Sequence, residues 1–380
     1  MNRAAGALLL ALSIACAAAP PASPPPTVPS QGKAPFSAAP AANHQIHVTV
    51  DTRAAREILG SLSRPKMEVA DVKVLEDMLP IKLAIQDSSR SDEVFQRDFA
   101  AAWDPESRTA VFDFASVRRE RDRWGVLLDA VSSRRAEIER VSDERAAALL
   151  PGDRPILVRL QAFITFGLSG LADHMVVTMP DGAPAIILDL ARVLGEAGSD
   201  EAPNQVSRLE RVISGEAYRL AWTVYRDGNP NWRQPYPQLG AVDPLVRVVA
   251  EAGPVALFGI EDSFFPLSTW LKEPMQRAMN DMNRMAERLV ESEADLEARV
   301  SLAAEVRRSD FSRRVAAPAG AYMEDGIIQV LGLEDLRKAQ QEGPLAFFRA
   351  YDRATRQLKD LPPLSKVLLQ KISAPVAPPH

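Results

Sequence analysis

Cysteine is all but missing from this chain: Cys16 is the only one in 380 residues. A single thiol excludes an internal disulfide framework and any Cys-rich metal site. Histidine is scarce as well, with His44, His47, His174 and His380 as the only four, so an imidazole-rich metal centre has few places to form. An excess of positive charge is also lacking. Lys and Arg total 45 against 50 Asp and Glu, a formal net charge of -5. Because the charges alternate along helical patterns and form no basic stripe, nucleic acid is not an expected partner. No phosphate-binding loop of the G-x-x-x-x-G-K type occurs.

What is present begins at the N-terminus. Arg3 precedes an apolar stretch from Ala4 to Ile14 and a small-residue cluster from Ala15 to Ala19, the layout of a secretory signal. That stretch is too short to span a bilayer as a stable helix. Leu12-Ser13-Ile14-Ala15-Cys16 resembles the lipobox of bacterial lipoproteins, in which the Cys is lipidated, and this resemblance favours residues 1–16 as a lipoprotein signal with Cys16 as the anchor. An ordinary signal peptide cut a few residues later is the other reading. Both place the protein outside the cytoplasm, and the first makes it a membrane-anchored protein of the cell envelope, on the periplasmic side if the cell is Gram-negative.

Residues 17–43 are dominated by Pro, Ala and Ser, a composition that cannot bury a core and stays extended as a tether. Residues 373–380 have the same character. Between them, residues 44–372 are expected to form a single domain, with 46% apolar residues in the whole chain and no internal linker or repeat.

Gln45 to Val50 alternates and is β-branched, predicting a strand, and Asp51 is placed to cap a helix through Ala55, Ile58 and Leu59. Apolar residues at three- and four-residue spacing predict helices over Val69 to Gln86, Asp92 to Trp103, Ser116 to Ser132 and Arg135 to Leu150. The period then changes. Ile156 to Phe166, His174 to Met179 and Ala185 to Leu190 read as strands, the last two joined by a turn at Pro180-Asp181-Gly182. Asn204 to Tyr225 reads as a long helix, and more helices follow from Pro266, with breaks near Pro318, Gly332 and Gly343. This order predicts an α+β fold, mainly helical, with a small central sheet packed by helices.

A long helix after a sheet is one place where zinc peptidases carry His-Glu-x-x-His, because residues four apart project from one helix face. Here the helix reads Gly215-Glu216-Ala217-Tyr218-Arg219, so the Glu is kept and both ligand positions hold residues that do not bind zinc. With this helix stand the strand–helix from Val48 to Leu59, the sheet with Gly170 and Asp173, the stretch Gly320-Ala321-Tyr322-Met323-Glu324, and Gly343 through Phe348 with Tyr351. On these residues the chain resembles bacterial families of zinc-dependent peptidases of the HExxH, gluzincin-like kind. The resemblance implies a metallopeptidase-like domain. It also implies a third ligand from a later helix, where Phe258 stands in Leu257-Phe258-Gly259-Ile260-Glu261-Asp262. Gly215, Arg219 and Phe258 are then former metal-ligand positions, Glu216 is a vestigial catalytic residue, and no metal or other cofactor is expected.

Glu216 and Arg219 are three apart on a helix and can pair, the guanidinium standing in for the lost cation; a plain surface pair is the other reading. Gly215 inside a helix costs about 1 kcal/mol relative to Ala, which a close packing contact would explain. A serine hydrolase has one candidate, Ser169 in Gly167-Leu168-Ser169-Gly170 near Asp173 and His174, but the nucleophile-elbow pattern fails at Leu171. Trp222, Trp270, Met275, Met279, Met282 and Met285 recur at helical spacing and are expected to be core or groove lining. The expected function is that of an exported lipoprotein with an inactive peptidase-like domain. It would bind a peptide or protein between the helix around Glu216 and the segment from Phe258 to Trp270. An active hydrolase with an unconventional site, using Glu216 with Glu261 or Ser169, is the alternative.

Overall fold

The computed structural model describes residues 44–104, 111–167, 174–195, 202–259 and 269–375. Cys16 with its signal, the tether, Ser169, Gly170, Asp173, Glu261, Asp262 and the tail from residue 376 with His380 lie outside the described residues. So does the side chain of Trp270.

Strand β1 (His44–Asp51) leads into α1 (Arg53–Leu62), followed by α2 (Val69–Asp77), α3 (Leu79–Asp87) and α4 (Asp92–Ala100). Helices α5 (Phe114–Arg119), α6 (Arg121–Ser133) and α7 (Arg135–Ala148) complete this first group. Strands β2 (Ile156–Thr165), β3 (His174–Thr178) and β4 (Pro184–Asp189) come next, then α8 (Leu190–Gly195) and the long α9 (Ala202–Gly228). The remainder is helical: α10 (Pro230–Arg233), α11 (Asp243–Phe258), α12 (Thr269–Glu291), α13 (Leu296–Val306) and the single turn α14 (Ser309–Phe311). A π turn at Ser312–Ala316 joins α14 to α15 (Ala317–Leu331), and α16 (Leu333–Glu342), α17 (Pro344–Gln357) and α18 (Lys366–Ser373) close the chain. The fold is α+β and mainly helical. No described helix is long and apolar enough to cross a membrane.

The sheet has four strands in the order β1-β2-β4-β3. β1 pairs with β2 and β2 with β4 in parallel, and only β3 and β4 run antiparallel, turning through Asp181 and Gly182 (φ +83°). The first strand therefore joins the central sheet across helices α1 to α7, a pairing that local pattern could not place. β1 is an edge strand, and its free edge is closed by α7: Asp143 Oδ1 accepts the Val48 N–H and Glu139 Oε1 the Val50 N–H, both at 2.8 Å. Carboxylates four apart on a helix thus occupy donors that would otherwise template another strand.

Several helices differ from their expected bounds for local reasons. Val69 to Gln86 is two helices, because Pro80 has no N–H to give and its ring crowds the preceding turn; Met78 is extended (ψ 131°) between them. Ser116 to Ser132 is likewise divided, at Glu120 (φ −107°, ψ 18°). Asp51 stays in the strand and Thr52 takes the cap position, while Asp51 Oδ1 accepts the Arg53 N–H at 2.9 Å. Pro318 opens α15 in its first turn without ending a helix, and Gly332 and Gly343, at φ +95° and +99°, separate α15, α16 and α17. Met275, Met279, Met282 and Met285 are buried in the core, as is Trp222.

Candidate functional site

Helix α9 packs on α7, on β2 and on α11. Val206, Leu209, Ile213, Ala217, Ala221 and Tyr225 recur every three or four residues and are all fully buried, which fixes the rotation of the helix. That rotation carries Glu216 inward. It is 5% exposed, while Gly215 and Arg219, one turn apart on the neighbouring stripe, remain partly exposed.

Two side chains meet the buried Glu216 carboxylate. Arg219 donates from Nε to Oε2 at 2.7 Å, one helical turn on. His174, the first residue of β3, places Nε2 3.3 Å from Oε1. Antiparallel pairing of His174 with Leu188 of β4 sets the height of the imidazole against the helix. Burial pushes the Glu216 carboxyl up, but the His174 hydrogen bond and the Arg219 charge outweigh it and hold the carboxyl below its ordinary value. Glu216 is therefore ionised at neutral pH with both oxygens engaged.

Phe258, the last residue of α11, stacks on Tyr218 with ring centroids 4.6 Å apart and planes 9° from parallel. The same ring borders Gly215, since a β-carbon built there would lie 3.9 Å from Phe258 Cδ1. Gly215 and Phe258 are thus brought together, whereas Arg219 turns to Glu216. Among the described residues no close packing contact demands a glycine at 215; the expected tight contact is replaced by ordinary van der Waals distance to one ring. The partner that sequence reasoning missed is His174, which reads as a lone histidine until the sheet is assembled.

Among the described residues the donor set does not fit zinc. One imidazole and one carboxylate converge here, the carboxylate already shared with a guanidinium, and no group of three or more His, Cys, Asp or Glu among the described residues is placed to hold a metal ion. The arrangement can hold His174 in one orientation through a carboxylate, and it fixes a guanidinium by one edge. No known protein family, curated protein or solved structure is a match for this chain.

Proposed function

We propose that this chain is an exported lipoprotein of the cell envelope, anchored through Cys16, whose metallopeptidase-like domain has lost its zinc site and works by binding a peptide or protein. The observation that carries this reading is the state of Glu216. In an HExxH helix the Glu takes a proton from metal-bound water, whereas here both oxygens are occupied, by Arg219 at 2.7 Å and His174 at 3.3 Å. A guanidinium supplies the positive charge that balances the carboxylate, and it cannot polarise a carbonyl or generate a hydroxide as a metal ion does.

One observation favours the alternative of a working hydrolase: a histidine held by a buried carboxylate is the base-and-orienter half of an acid–base site. The two readings part on a single assay. Incubation of the full chain with a mixed peptide library, followed by mass spectrometry, is expected to show no cleavage above a buffer control. Cleavage that disappears in both His174→Gln and Glu216→Gln would replace the binding reading with the hydrolytic one.

A further inference from the structure

We infer that the Gly215–Arg219 face of α9 recognises a carboxylate on a peptide, Arg219 presenting its terminal nitrogens to the anion and Gly215 leaving the floor on which the peptide lies. This deepens the binding reading and rests on it for the peptidic nature of the ligand.

Arg219 uses only one of its nitrogens within the fold. Nε donates to Glu216 Oε2, and the two terminal nitrogens donate to no described residue, on a side chain 26% exposed to solvent. The partner that orients it is rigid, because Glu216 is 5% exposed and is engaged on its other oxygen by His174. A guanidinium secured by one edge keeps its other donors in a fixed fork, the geometry that matches a carboxylate, and the ordering is already complete before a ligand arrives.

Gly215 supplies the second, independent observation. A long side chain on a helix leans toward the N-terminus, and Arg219 accordingly reaches back to Glu216, the chain neighbour of Gly215, at 2.7 Å. Glycine in a helix interior is unfavourable by about 1 kcal/mol against Ala. Gly215 is partly exposed, and the described atom nearest to an added β-carbon is Phe258 Cδ1 at 3.9 Å. Packing among the described residues therefore does not account for the glycine, while close approach of a ligand backbone to the helix does. The result is a cationic fork on α9 one turn from the partly exposed helix backbone at Gly215, with the buried Phe258 ring next to that glycine.

The test uses the full chain and three pools of labelled mixed-sequence peptides, read by fluorescence anisotropy. One pool has free C-termini and no Asp or Glu, the second is the same pool amidated, and the third is amidated with Asp or Glu included. The free-carboxylate pool is expected to bind, with amidation weakening it about tenfold or more, as loss of a charge-assisted hydrogen bond implies. Arg219→Gln should bring the free pool down to the level of the amidated one, and Gly215→Leu should weaken the free pool by filling the floor. Binding of the third pool that depends on Arg219 would place the recognised carboxylate on a side chain, within the same inference. Equal binding of free and amidated pools overturns it, as does the lack of binding by every pool up to millimolar peptide. The amidation comparison needs no variant, so it decides even if Arg219→Gln fails to fold. Peptide cleavage during the assay would sink the non-catalytic reading and leave the dependence on the carboxylate separately readable.

Discussion

Gly320→Ala is expected to destabilise the protein by more than about 3 kcal/mol, at or above the upper end of the usual range for overpacking a core. The reason lies in how α11 and α15 cross. A β-carbon built on Gly320 would come within 2.6 Å of Gly253 Cα, and one built on Gly253 would come within 2.7 Å of the Gly320 carbonyl carbon. The atoms in the way are backbone on both sides, so no rotamer change can relieve the overlap and the helices must separate. Separation also reaches the candidate site, because α11 ends in Phe258, whose ring lies on Tyr218 beside Gly215. Denaturant unfolding of Gly320→Ala against Gly125→Ala makes the comparison clean: a β-carbon at Gly125 in α6 meets nothing within 4 Å, and there the change should gain up to about 1 kcal/mol from helix propensity. A loss below about 1 kcal/mol at Gly320 would show that the two helices can move apart freely.

Glu324→Gln is expected to stabilise the protein at alkaline pH and to flatten its stability between about pH 4.5 and 8. Glu324 lies on α15, only 1% exposed, and accepts a hydrogen bond from Gln340 Nε2 at 3.0 Å. Burial pushes its carboxyl from 4.5 up to about 8, against the smaller opposing effect of the Gln340 bond. The folded pKa is thus the higher one. Below pH 4.5 both states hold the proton and the group costs little. Above 4.5 the unfolded chain releases it while the folded protein keeps it, so stability falls as pH rises until the folded carboxyl ionises near pH 8. The full difference is on the order of a few kcal/mol. Gln keeps the shape and can still accept from Gln340 without titrating. Thermal or denaturant unfolding of both proteins at pH 5, 7 and 9 should show a gap that widens with pH. Parallel curves would mean that Glu324 is ionised, or solvated, in the folded protein.

The helix at Glu216 is legible in the sequence as a long helix from Asn204 to Tyr225, but spacing alone leaves open whether the Glu216–Arg219 pair lies on the surface or, as the fold places Glu216, in the interior. The contact that defines the site is not legible. His174 and Glu216 meet only once β3 is paired to β4 and α9 is laid across the sheet, and nothing local to either residue signals the other. β1 posed the same problem: its alternation identifies a strand, but its partner, β2, follows an entire helical group. Pro80 carried a signal that was overridden by the apolar periodicity on both sides of it. Glu324 and Asp325 stand as adjacent acids within the apolar run from Ala317 to Leu331. Their burial at 1% and 3% depends on how α11, α16 and α17 surround that run, which no residue spacing reveals.

The proposal that Arg219 stands in place of a metal ion is tested most directly by the zinc content of the purified full chain after loosely held metal has been removed. Less than a tenth of an equivalent is the predicted result, with Glu216→Gln leaving it unchanged. One equivalent of retained zinc, lost in Glu216→Gln or His174→Gln, would contradict it and return Glu216 to a working metal centre.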